Sequence, residues 1–116
     1  MAYYQKKAQV EALLLEMNPP PPVRRYFQVV KEVYAHERFE LTLSLCEAFV
    51  LSVLPCGQGT GVLMRSATVA NARAATSFAE KETATLDAIC TAVALALVFG
   101  VSFSPVHTLG LSGGHS

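Results

Sequence analysis

The side chains of this sequence that could do chemistry are few, and the first to weigh are three glycines. Gly57, Gly59 and Gly61 spell GxGxG. A phosphate or dinucleotide loop needs a strand before it and a helix after it, and a Walker loop needs Lys beside its last glycine, where Val62 stands. A hairpin tip is therefore the expected use. Cys46, Cys56 and Cys90 are odd in number and widely spaced, with neither a CxxC pair nor a His at ligand spacing. That excludes a disulfide framework and a zinc site as expectations, and free thiols fit an intracellular, reducing compartment. No carboxylate pair, Ser-His-Asp set or Cys-His pair has a local signature, so the chain is expected to be no enzyme and to hold no metal or cofactor.

Binding groups remain. Arg24, Arg25, Lys31 and Arg38 are interleaved with Glu32, Glu37 and Glu40, a mixed solvated surface more than a basic patch. Nine basic and nine acidic residues leave the chain without net charge, which argues against a nucleic-acid binder held by many phosphate contacts. With 116 residues there is room for one domain. A hydrophobic share of 52% and a mean hydropathy of +0.36 are high for a free-standing soluble domain, so part of the surface should face a protein partner or lipid.

The elements that must position these groups follow from periodicity. From Ala2 to Met17 apolar residues fall at helical spacing, and Asn18 with Pro19 to Pro22 predicts the end of that helix and an extended segment. Phe27 to Tyr34 fits either period; its length and the run that follows favour a strand. Phe39, Leu41, Leu43 and Leu45 alternate with Glu40, Thr42 and Ser44, which predicts a strand with one apolar face. Val62 to Ala72 alternates imperfectly and completes an antiparallel meander. From Glu80 onward the chain predicts a helix, with Ala84, Ala88 and Ala92 on one stripe and Thr83, Asp87 and Thr91 on a polar one. The expected fold is α+β, in the order α-β-β-β-α, with two helices on one face of a three-stranded sheet. Residues 1–103 would form the domain and 104–116, rich in Gly and Ser, a flexible tail.

In that order the residues resemble the double-stranded RNA-binding domain family. The resemblance lies in Leu13 to Pro20 as the first helix and its exit, Tyr26 to Glu32 as the first strand, Ala35-His36 before Phe39 as the hairpin, and Lys81 to Ala84 leading into the second helix. It implies contact with an RNA duplex by shape, across minor grooves and phosphates. His36 then corresponds to the hairpin residue that enters a minor groove, and Lys81 to the first cation of the phosphate-gripping cluster. Gln5 and Gln9, four apart on the first helix, could offer amides to the same duplex, with Arg38 nearby, although the two glutamines match no single family position. The departures are that Glu82 and Thr85 stand where the family has further cations, that His36 and Phe39 are one residue closer than usual, and that no Gly-Pro precedes the His. Without those cations to grip phosphates, the expected role is a non-catalytic module of an RNA-processing enzyme or complex, which docks a protein partner and binds RNA weakly. A bland alternative leaves His36 and Lys81 as solvated surface residues.

Two further expectations concern the last helix. Val93, Leu95, Leu97, Val98 and Phe99 would supply the docking face. In the rival reading, a small helical membrane subunit, Ala88 to Val106 spans the bilayer, since it carries no charge and approaches the roughly 20 residues required. Its alanines, serines and proline, and the absence of Trp, Tyr or a basic cluster at its ends, count against that rival.

Overall fold

A computed structural model of the chain describes residues 2–53 and 68–99. Within them every element is a helix: α1 (Ala2–Met17), α2 (Pro21–Ala35), α3 (Phe39–Val53), α4 (residues 68–74) and α5 (Phe78–Phe99). No strand occurs among the described residues, so the expected α+β fold is corrected to an all-helical one. The expected role as a double-stranded RNA-binding-like module of an RNA-processing enzyme or complex, docking protein and binding RNA weakly, needed a sheet under two helices and is overturned with it, as is the alternative of true duplex RNA binding.

Each expected strand gives way to a helix for a local reason. Phe39 to Leu45 alternates over seven residues, which is only two helical turns, and a helix also brings Phe39 beside Leu43 and Leu41 beside Leu45. The apolar run continues through Cys46, Phe49 and Val50, all buried, and so draws out a helical stripe that no strand of ordinary length would need. Leu41 is left at the surface and Thr42 is buried, its hydroxyl donating to the Arg38 carbonyl at 2.9 Å. Phe27 to Tyr34 lies inside α2, where Val23, Phe27, Val30 and Tyr34 form a buried face at helical spacing. Of the third expected strand, residues 68–72 are in α4 and 62–67 lie outside the described residues, as do the glycines of the expected hairpin tip and the 104–116 tail.

Only the first half of the four-proline run lies outside a helix, with Pro20 extended; the second half, Pro21 and Pro22, starts one. Asn18, with φ 47°, turns the chain out of α1, and its backbone N–H donates to the Leu14 carbonyl at 3.0 Å. Pro20 caps α2, and Pro21 and Pro22 occupy its first turn, where an N–H would have no helical acceptor. At the far end the chain reverses in a Schellman turn: Glu37 N–H donates to the Tyr34 carbonyl at 2.9 Å and Arg38 N–H to Val33 at 3.2 Å. Glu37 holds the left-handed position (φ 63°) that glycine usually takes, a cost of roughly 1 kcal/mol.

With these short connections the chain runs up and down, and α1, α3 and α5 begin at one pole. One apolar core joins α1, α2, α3 and α5 through Val10, Tyr26, Phe27, Phe49, Ile89 and Val93. Tyr26 donates from its hydroxyl to the Leu45 carbonyl (2.7 Å) and Tyr34 to the Glu82 carbonyl (2.9 Å), so both buried phenols bridge helices while keeping a partner. A smaller cluster of Leu43, Val69, Ala72 and Ala88 seats α4 against α3 and α5.

Candidate functional site

Two places in this bundle gather polar side chains, and they differ in what those side chains are free to do. The first is the pole where α1, α3 and α5 begin. Lys6 is buried there, its Nζ 2.9 Å from Glu37 and 3.2 Å from Glu82, and 5.1 Å and 5.9 Å from the ring centres of Phe78 and Phe39. Burial disfavours the charged amine, but the hydrogen bonds it donates to both carboxylates outweigh this and raise its pKa. An amine held protonated is no nucleophile, so the cluster is a fastening between helices. Around it Tyr3 donates to Glu32 at 2.7 Å and its ring stacks on His36, with centres 4.6 Å apart, while Lys7 pairs with Glu32 at 3.2 Å. Lys31, also buried, pairs with Glu11 at 2.8 Å.

The residues expected to touch RNA are exposed on α1 and near this pole: Gln5 and Gln9 on α1, His36 and Arg38 in the turn after α2, Lys81 in the first turns of α5. Glu37 and Glu82 stand among them, so the pole presents mixed charge. Of the expected docking residues, Val93 is fully buried and Leu95 nearly so, both within the core. Leu97 and Val98 reach the surface at the opposite pole; Phe99 is the last residue of α5. The segment 88–106 of the rival membrane reading begins inside α5, and its residues 100–106 lie outside the described residues. Among the described residues no helix is long and apolar enough to cross a membrane.

The second place is a groove between α4 and α5, built by three local devices. Arg73 of α4 reaches back to α3, pairing with Glu40 at 2.7 Å and Glu47 at 3.5 Å, while Val69 and Ala72 fill the space beneath. A three-residue turn follows. Ser77 then caps α5 in a capping box: Glu80 N–H donates to the Ser77 hydroxyl at 3.1 Å, and Ser77 N–H donates to the Glu80 carboxylate at 3.2 Å. Those backbone bonds from Ser77 and Thr76 hold the Glu80 carboxyl below its usual pKa. Because the residues facing across the gap are alanines, the two helices leave an open channel instead of interlocking.

The groove is shallow and open to solvent, about 640 Å³ along Asn71, Ala74, Ala79, Thr83, Ala84 and Asp87. It continues into about 350 Å³ beside Cys90 and Thr91, and Asn71, Ala84 and Asp87 border both parts. Thr91 donates to the Asp87 backbone carbonyl at 2.9 Å, and Glu80 is held in its cap. Asn71, Thr83 and the Asp87 carboxylate, by contrast, make no hydrogen bond or ion pair with the described residues. Burial, then the Asp87 charge, raise the Cys90 pKa, so that thiol stays protonated and weakly nucleophilic. Among the described residues no cluster of His, Cys, Asp and Glu could hold a metal ion. The uncommitted polar groups are the Asp87 carboxylate, the Asn71 amide and the Thr83 hydroxyl, set along a shallow alanine wall.

Half of this site is visible in the sequence, as the Thr83, Asp87, Thr91 stripe. Asn71 is not, since the pattern of Val62 to Ala72 suggests a strand there. The Ser77-x-x-Glu80 capping signal is the one that places the start of α5 at Phe78, two residues before Glu80, and hence the turn before it. Compared with protein-family models, curated proteins and solved structures, the chain matches none.

Proposed function

We propose that the chain is a non-catalytic helical binding module of a larger assembly, and that the α4/α5 groove receives a segment of a protein partner. The observation that carries this is a shallow, open groove in which Asn71, Thr83 and Asp87 have no partner within the described fold. The other acidic side chains about the bundle are mostly engaged: Glu11, Glu32, Glu37, Glu40, Glu47 and Glu82 each pair with a lysine or arginine. Polar groups lining a concave surface and left uncommitted are what an orienting contact requires, while the alanine wall lets a foreign chain approach closely.

The test is a peptide-display selection on the full chain, repeated on Ala74→Trp and Ala79→Trp. Both alanines are exposed, so an indole there fills the channel without entering the core. The expected result is a set of peptides that bind the native chain and lose at least about tenfold in affinity on either variant, with the circular dichroism of both unchanged. Peptides that bind native and filled chains alike would refute the proposal, and so would a selection that enriches nothing.

A further inference from the structure

Resting on that reading of the groove, we infer that its occupant is a lysine or arginine side chain of the partner protein, with its cationic head at Asp87 and its methylene stem along the alanine wall. The charges that border the channel are Glu80 and Asp87, and none of its described lining residues is basic. Glu80 is engaged by the backbone of Thr76 and Ser77, so Asp87, shared by both parts of the channel, is the charge left to recognise a ligand.

Each class of occupant meets a different electrostatic outcome. An acidic or phosphorylated segment would bring its charge beside two carboxylates with no cation among the described lining residues. A purely apolar one would strip water from the Asp87 carboxylate and give nothing back, which is costly for any ion. A basic side chain satisfies it, and the Asn71 amide oxygen and Thr83 hydroxyl offer two further acceptors for the remaining N–H groups. Ala74, Ala79 and Ala84 complete the fit, since three or four methylenes can lie against them while the charged head stays at the polar rim. The nearest cations in sequence do not compete for Asp87. Arg73 is turned to Glu40 and Glu47, and Lys81 does not line the channel.

The experiment titrates the isotope-labelled full chain with three synthetic alanine-based peptides that differ at one central position, Arg, Gln or Glu. The Arg peptide is expected to shift the amide signals of Asn71, Thr83 and Asp87 and to bind about tenfold more tightly than the Gln peptide, as one charge-assisted hydrogen bond supplies. The Glu peptide should bind more weakly still. Asp87→Asn should remove the preference for Arg, and added salt should narrow it. Equal affinities for Arg and Gln peptides, an unaltered preference in Asp87→Asn, or no saturable shift with any of the three would overturn the inference. Putrescine binding as tightly as the Arg peptide would overturn it too, because the site would then suit a free diamine and not a partner protein. If the Trp-filled variants lose displayed peptides while charge makes no difference, the groove stands as the binding site and only the basic occupant falls.

Discussion

Replacing Lys6 by Met removes an ammonium from a place with 1% solvent exposure while keeping most of the stem that fills it. The magnitude lies between two limits. Exposed ion pairs contribute about 0 to 1 kcal/mol, and breaking a fully buried pair costs about 3 to 5 kcal/mol because the surviving charge is stranded. Here the survivors, Glu37 and Glu82, have side chains 43% and 33% exposed and can turn toward water. Their loss of the ammonium is partly compensated, while the attraction of the cation to the Phe78 and Phe39 faces disappears outright. A cost of about 2 kcal/mol follows, which in a domain of this size lowers the thermal midpoint by roughly 8 °C. Urea and thermal unfolding followed by circular dichroism measure it, with Lys7→Met as the control: Lys7 pairs with Glu32 at the surface, and its replacement should leave the midpoint within error.

High salt should erase any Lys7 effect and leave the Lys6 effect standing, since buried charges are weakly screened. The triple variant Lys6→Met, Glu37→Gln, Glu82→Gln should recover at least half of the loss, because no charge is then left without its partner. The pH dependence has a definite sign. Burial opposes the charged amine, the two carboxylates more than offset it, and the folded pKa lies above the ordinary 10.5. The stabilisation is therefore fully present below that ordinary value and disappears as pH rises through the raised one, so native and Lys6→Met curves should converge only on the alkaline side. Equal midpoints for Lys6→Met and the native chain, or convergence on the acid side, would refute the account.

The remaining predictions concern the core. Thr85 is fully buried in α5 and its hydroxyl has no hydrogen-bond partner among the described residues, so Thr85→Val, which keeps the shape and removes the stranded group, should raise unfolding stability by about 1 kcal/mol in urea titrations; a loss would show that the hydroxyl has a partner after all. Burial pushes the Cys46 thiol up to about 12, with Cys90 adding a smaller push, so iodoacetamide at mildly alkaline pH should leave Cys46 unlabelled in the folded chain and label it in guanidinium, as peptide mass spectrometry would record.

How far the sequence disclosed this fold depended on the length of each pattern. The helix over Ala2–Met17 was legible because sixteen residues hold four turns of one period, and the helix after Glu80 because alanines and a polar stripe persist along it. Phe39 to Leu45 was too short to separate the two periods, and only its continuation through Phe49 and Val50 decides between them. The prolines misled for a different reason. Four together suggest an extended chain, yet Pro21 and Pro22 fall where the first helical turn has no use for its N–H groups. The turn at Glu37 carries no glycine to announce it. With α2, α3 and α4 taken as strands, neither Lys6 between Glu37 and Glu82 nor Asn71 across from Asp87 could be foreseen, since both placements depend on how helices come together.

The contrast between the pole and the groove links fold to function. Lysine at position 6 is charged and buried, so it requires partners, and the fold supplies two carboxylates, one from the turn after α2 and one from α5; the same demand brings Glu11 to Lys31. Arg73 draws Glu40 and Glu47 because it must tie the short α4 to α3. These pairings answer needs of the fold itself. Asp87 answers none: the Ser77 and Glu80 box already caps its helix, its side chain bridges nothing among the described residues, and its charge opposes ionisation of the neighbouring Cys90. A chain in which Asp87 were replaced by Ala should fold at least as well, with the helix interior gaining a residue of higher propensity. A carboxylate that the fold can do without, set at the junction of both parts of a channel walled by alanine, is best explained by what enters that channel.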